Sequence, residues 1–278
     1  MAETHRKGND KAQKKLKSKL CQVDLIKAVF RKGELIMPVW NPWHGCHKKS
    51  AGCLNCYVYR RDAMYDKDSN IVTKTNDFNL AIRRHRDGSF YLKPGRQVYC
   101  SMTSDFFIEE ADEWRKDIWE MIRYRKDLDF SIITKRIERF MDCIPEDWGE
   151  GWDNVTIIAT MENQAMTDER MPILLAAPIK HKKVNQEPML ESIEIDKYLK
   201  DGQIESVTCG GESGDNARVC DYDWILNTRR QCIENNVTFN FHQTGANFRK
   251  DGRIYRVPRV KQQSQAARAK IDYKKRSM

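Results

Sequence analysis

The sequence predicts an α/β protein built on a parallel (β/α) barrel, complete or partial, of about six to seven βα units. Short β-prone runs recur along the chain, each ends in a polar tip, and helical patterns follow. The tips fall near residues 105, 136, 163, 187, 214 and 245, at steps of 24 to 31 residues. A βα unit takes about 30 residues.

Ile36–Trp40 reads as a first strand, followed by a loop broken by Pro42, Gly45 and Gly52 and then a helix from Tyr57. Gln97–Cys100 leads to SMTSD, and Trp114, Ile118, Met121 and Ile122 then follow helical spacing. Asp129–Ile133 leads to TKR, with Ile137, Phe140, Met141 and Ile144 as the next helical stripe. Val155–Thr160 leads to MEN, His181–Val184 to NQEP and Ser206–Cys209 to GGESG. Asp221 or Asp223 caps a helix carrying Trp224, Ile225, Thr228 and Cys232, and Val237–Phe241 runs to HQTG. A flat doubly wound sheet gives the same rhythm and stays open. In either fold the C-terminal strand ends form the active face, so the tips converge on one mouth. Taken singly, Asp105, Thr134 or Asn163 also suits a helix cap.

The chain of 278 residues is long enough for one full-sized core, with 40% hydrophobic and 32% charged residues. No apolar run is long enough to cross a bilayer and no secretory pattern follows the basic N-terminus, so a cytoplasmic protein without membrane contact is expected. The formal charge of +9 sits at the ends. Residues 1–35 carry ten Lys/Arg against four acids, and residues 249–278 carry eleven against two. The expected organisation is therefore a basic N-terminal extension (1–35), a barrel domain (36–248) and a basic C-terminal extension (249–278). Such ends can grip phosphate backbones, but more often they are solvated tails, and nucleic acid is not the favoured partner.

Nine cysteines are present. Cys21, Cys100, Cys143, Cys209, Cys220 and Cys232 are scattered and read as small buried apolar residues. Cys46, Cys53 and Cys56 crowd into one loop, a metal-site pattern in a reducing compartment. Structural zinc would need a fourth ligand, for which His44 and His47 are at hand. A [4Fe–4S] cluster on three cysteines would instead keep one iron open for chemistry. Spacing alone leaves the two even; a barrel mouth favours iron–sulfur.

At these residues the chain resembles the radical S-adenosylmethionine (SAM) superfamily, and within it a phage-associated three-cysteine family. The resemblance runs from about Val39 to Gln265 and rests on WNPWHGC (40–46), GCLNCY (52–57), SMTSDFF (101–107) and TKR (134–136). It continues through MEN (161–163), NQEP (185–188), GGESGDNAR (210–218) and FHQTG (241–245). The cysteine gaps of six and two residues depart from the superfamily's usual three and two, and Asn55 stands where an aromatic is usual.

The resemblance implies a barrel of radical SAM type and a radical SAM lyase, with SAM chelated at the open iron. Its sulfonium is split by an electron from a donor such as flavodoxin or ferredoxin, giving a 5′-deoxyadenosyl radical that takes a hydrogen from the substrate. It implies that Ser101, Ser104 and Asp105 hold the SAM ammonium, Glu162 and Asn163 the ribose hydroxyls, and that Gly210 and Gly211 let backbone approach the adenosine. Glu187, Glu212 and Lys135 are the candidate catalytic side chains, with Gln243 beside them at the substrate; the simpler role for Glu187 or Glu212 is an ion pair with Arg136 or Arg218 across the mouth. Queuine lyases are the members most similar in character. The expected substrate is accordingly a 7-deazapurine base, queuine, cut to 7-aminomethyl-7-deazaguanine. A carboxylate from Glu187, Glu212 or Asp105 would meet the base edge, and Trp43, Tyr57 or Phe241 would stack on its face. Two other classes compete: a nucleic-acid modification or repair enzyme of phage type using the same chemistry, and a zinc-stapled binding protein without catalysis. A salt-dependent shift with DNA or tRNA marks the first, and zinc without iron or sulfide marks the second.

Overall fold

β1 (Val39–Trp40) and β2 (Trp43–His44) lead through the cysteine loop into α1 (Tyr57–Ala63), and β3 (Thr73–Lys74) returns antiparallel on β2. Strand and helix then alternate: β4 (Gln97–Cys100), α2 (Asp112–Tyr124), β5 (Asp129–Thr134), α3 (Phe140–Cys143), β6 (Val155–Thr160) and α4 (Gln164–Ala176). β7 (His181–Gln186), α5 (Asp196–Leu199), β8 (Ile204–Gly210), β9 (Val219–Asp221), α6 (Tyr222–Glu234) and β10 (Thr238–Gln243) continue the series. A hairpin, β11 (Asn247–Lys250) and β12 (Arg253–Arg256), and α7 (Arg259–Arg268) complete it. The computed structural model describes residues 38–276; the expected extension 1–35 lies outside them.

Seven strands form one sheet in the order β1-β4-β5-β6-β7-β8-β10, each neighbouring pair parallel. The order never reverses, so the doubly wound alternative, which needs a switch point, is excluded. The sheet curls into a half-barrel, the partial form of the expected architecture.

Strand alternation divides the sheet into two faces. Val98, Phe130, Ile132, Ile157, Ala159, Val207 and Phe239 are fully or nearly fully buried in the core, with Ile118, Trp119 and Ile122 of α2 and Ile225 and Cys232 of α6. Each large apolar side chain removed from water there contributes about 2 kcal/mol. The alternate positions, Tyr99, Ile133, Asn185, Thr208 and Asn240, are half-buried and mostly polar. They face away from the helices. The scattered cysteines 100, 143, 209, 220 and 232 are free and buried, as expected of small apolar fillers, while Cys21 lies outside the described residues.

Two sequence expectations need correction. The stripe Ile137–Ile144 forms only a 3-10 turn (Ile137–Arg139) and the single turn of α3, because Ile144 precedes Pro145 and is pushed to extended φ/ψ (−81°, 152°). The basic C-terminal stretch is no solvated tail. Gln262 and Ala266 of α7 are buried, Asp272 accepts the Phe241 amide at 2.8 Å, and Tyr273 bridges Phe239 antiparallel. That bridge covers part of the open edge of β10, which would otherwise template pairing with another chain.

Candidate functional site

The cysteine loop lies across the C-terminal strand ends, and the polar tips hold it there. Behind Cys46, the Gly45 amide donates to Thr103 O at 3.2 Å, Cys46 N to Ser69 O at 2.7 Å, and the Ser104 hydroxyl to Gly45 O. After β5, Arg136 donates to His47 O at 2.8 Å and sets its guanidinium 3.7 Å from Cys46 Sγ. Asp105 anchors that arginine at 3.4 Å and accepts from Thr134 Oγ1 and Lys135 N, both at 2.8 Å. After β6, the buried Glu162 carboxylate accepts from Gly52 N at 2.9 Å and from the Ser50 hydroxyl, and pairs with Arg170 of α4 at 3.0 Å. Gly52 must be glycine for this, since a Cβ there would lie 2.9 Å from the Glu162 carboxyl carbon. After β8, Glu212 pairs with Arg218 at 2.6 Å and accepts from Asn55 Nδ2 at 2.9 Å, while Arg218 donates to Ala51 O at 3.0 Å. Four strand ends thus grip one loop.

The electrostatics follow from that grip. Burial, and next the Asp105 carboxylate, pushes the Cys46 thiol up to about 12 against the pull of Arg136, so a metal must displace its proton on binding. Burial raises the Glu162 carboxyl, but Ser50, Arg170 and the Gly52 amide outweigh it and hold the group below the usual carboxylate range. Glu212 is likewise raised by burial and carried lower by Arg218 and Asn55.

Several expected ligand contacts are therefore structural. Ser104 donates to the loop and Asp105 holds Arg136, Thr134 and Lys135, structural roles that compete with the ammonium contacts expected of them. Glu162 is sealed from solvent with its oxygens spent. Asn163 caps α4, accepting from Met166 N at 2.9 Å. Replacing it with alanine is expected to cost about 1 kcal/mol in thermal or urea melts and to leave any SAM turnover unchanged. Trp43 is fully buried against Phe106, its indole N–H on Asp105 O at 3.2 Å, so it offers no stacking face. Phe241 is also core, with ring centroids 5.9 Å from Phe248 and 6.4 Å from Tyr222. Glu212 is bound up with Arg218, the ion pair that the sequence left open as its simpler role.

Of the other expected residues, Gly210 and Gly211 are buried against the chain's own atoms rather than left open for an adenosine, while the side chains of the rest are not spent on the loop. Glu187 bonds His242 at 2.8 Å, and this pair raises the His242 pKa. Gly210 makes room for that carboxylate: a Cβ would lie 2.9 Å from the Glu187 carboxyl carbon and 3.2 Å from Gln243 Cγ. Gly211 packs backbone to backbone, its virtual Cβ 2.3 Å from Thr244 O. Gln243 donates to Gly211 O at 2.9 Å. Tyr57, hydrogen-bonded to Met102 O, is raised to about 12 by burial and next by the Cys56 thiol. The Lys135 ammonium is half-buried and has no ion pair among the described residues. Ser101 is buried, holds φ of 58°, and leaves its hydroxyl without a partner; Thr160 Oγ1 at the end of β6 is equally unpaired. Buried orphan hydroxyls are what a bound polar ligand would satisfy.

Cys46, Cys53 and Cys56 are all half-buried thiols. Among the described residues no three His, Cys, Asp or Glu side chains converge as for a single metal ion. The Nε2 atoms of His44 and His47 are turned to Asp62 and Glu110. Three thiols on one loop are the donor set that an iron–sulfur cluster would take. A surface cleft of about 700 Å³ lies elsewhere, between α2 and residues 142–147, and Asp112 and Asp147 there are already paired with arginines.

Sequence reasoning missed Arg170, Asn55, Ser50 and His242. Arg136 and Arg218 stood inside quoted motifs; the Glu212 partner of Arg218 was among the alternatives, the Asp105 partner of Arg136 was not.

The comparisons with known proteins correct the family resemblance: no radical SAM family model matches, and the match lies with a different family. No curated protein matches the chain, and no solved structure does. With residues 33–276 covered by its model, the chain belongs to the family described as protein of unknown function (DUF5131).

Proposed function

We propose that this protein is an enzyme that holds a [4Fe–4S] cluster on Cys46, Cys53 and Cys56 and uses it to cleave SAM, with a purine-like base as substrate. One observation carries the reading: the tips of β4, β5, β6 and β8 spend their polar groups on fixing a loop that offers three half-buried thiols at the mouth of a half-barrel. A loop held only for fold stability has no need of three sulfurs.

Cys46, Cys53 and Cys56 would hold such a cluster, which would supply the electron for reductive cleavage of SAM and so the means of taking a hydrogen from the substrate. The chain's own residues do the rest. Arg136 offsets negative charge at Cys46. The Ser101 and Thr160 hydroxyls are free to accept or donate to a polar cofactor. Asn185, Thr208 and Asn240 line the face away from the helices with amide and hydroxyl groups suited to a base edge. Glu187 orients His242 through its Nδ1, and Tyr57 offers a ring beside Cys56.

Protein isolated and reconstituted without oxygen, then given dithionite and SAM, is expected to release 5′-deoxyadenosine and methionine. Adding queuine is expected to give 7-aminomethyl-7-deazaguanine. Zinc without iron or sulfide, or SAM recovered intact, overturns the enzyme reading. Cleavage of SAM without a queuine product overturns only the choice of base.

A further inference from the structure

Six of the fifteen residues from Asn247 to Lys261 are Lys or Arg, and Asp251 is the single acid. Elsewhere surface cations are commonly neutralised, as in Arg123 with Glu120 and Asp147, Lys180 with Asp153 and Arg230 with Glu234. Here only Arg249 is, through Asp221. Arg253, Arg256 and Lys261 make no ion pair among the described residues, so their field is open to solvent.

β12 is an edge strand whose four residues are all exposed. Charge on an edge strand is an ordinary guard against aggregation. That reading does not explain Ile254, 57% exposed, and Tyr255, 47% exposed, set between the arginines. Strand alternation sets Tyr255 with Arg253 on one face and Ile254 with Arg256 on the other, so an exposed aromatic ring on which an unstacked base can lie stands beside an unpaired guanidinium that meets a phosphate. The ribbon is also held firmly. β11 pairs with β9, Phe248 is buried against Phe241, and Val257 N donates to Ala246 O at 2.8 Å. Asn247 Nδ2 donates to Ala217 O at 2.6 Å, and Arg259 Nη1 to Ser213 Oγ at 3.2 Å. Both partners lie in the loop after β8 whose Glu212 and Arg218 grip the cysteine loop.

We propose that the β11–β12 hairpin and the start of α7 bind a single-stranded nucleic acid along the rim of the mouth. The inference goes beyond the proposed function, whose substrate is a free base, and does not rest on it. Docking needs no cluster, so the two readings fail separately.

The test uses the full chain and short fluorescein-labelled RNA and DNA strands, followed by anisotropy. About four phosphate contacts predict that affinity falls about fifty-fold between about 50 and about 200 mM salt. The double variant R253E/R256E, with an unchanged melting curve, is expected to bind more than about tenfold more weakly. Tyr255→Ala is expected to lose about fivefold or more while keeping the salt slope. A Cys46→Ala protein is expected to bind as the wild type does. No binding, wild-type affinity in R253E/R256E, or a preference for phosphatidylserine vesicles or duplex over single strands overturns the proposal.

Discussion

Replacing any one of Cys46, Cys53 and Cys56 with alanine is expected to abolish SAM cleavage and to lower bound iron from about four atoms per chain to below about one. The cluster has only three protein ligands in this reading, so none is redundant. The loss comes without unfolding. The three thiols are half-buried on a loop whose anchors, Glu162, Glu212 and Arg136, bond backbone and neighbouring side chains; only Arg136 also touches a sulfur. Melting temperatures of the cluster-free variants should therefore match that of the cluster-free wild type. Cys143→Ala and Cys232→Ala serve as opposite controls: both residues are buried in the core, so each costs about 1 kcal/mol of stability and leaves iron content alone. A Cys53 variant with full iron and sulfide would show that the loop is not the cluster site.

The spans of the sheet were legible where both faces obey a simple rule. Gln97–Cys100 and Val155–Thr160 match the expected strands residue for residue, because β-branched and aromatic positions alternate up to a polar stop. His181–Val184 was read two residues short: Asn185 and Gln186 continue the ladder, and their polarity marks the face away from the helices for Asn185 and a buried contact with Thr228 for Gln186. Polar residues inside a strand look like its end when only one face is imagined as wet. The site was legible as a set of residues and not as a set of partners. Glu162 meets Ser50 across 112 positions and Asn55 meets Glu212 across 157, and no single sequence encodes such a pairing in local pattern. The tips were therefore read as facing a cofactor when most of them face the loop that would carry it.

Glu162→Gln is expected to be the most destabilising single change at the site. Glu162 and Arg170 are both 0% exposed and 3.0 Å apart. The variant leaves the arginine buried without a counter-charge, and one carboxylate oxygen becomes an NH2 that cannot accept, so either Arg170 or the Gly52 and Ser50 donors lose an acceptor. Breaking such a pair typically costs about 3–5 kcal/mol, a large part of a domain's stability and about 10 °C in melting temperature. Replacing both partners, as in Glu162→Leu with Arg170→Met, should recover much of the loss, because the buried charge goes with its partner. The pH dependence follows from the sign of the shift. The folded carboxyl titrates below its ordinary 4.5, so the unfolded chain binds the proton more readily. Its stabilisation is complete above the unfolded value and fades as pH falls through the folded one. Wild-type stability should thus drop in acid where the Gln variant, already lacking that charge, shows a flatter profile. Hydrogen exchange separates this account from general loosening. The Gly52 amide, donated to Glu162 at 2.9 Å, should lose protection in Glu162→Ala far more than the core amides of β5 do, and cluster loading should fall with it. Equal loss of protection in both places would mean that Glu162 supports the whole half-barrel rather than the loop that presents the thiols.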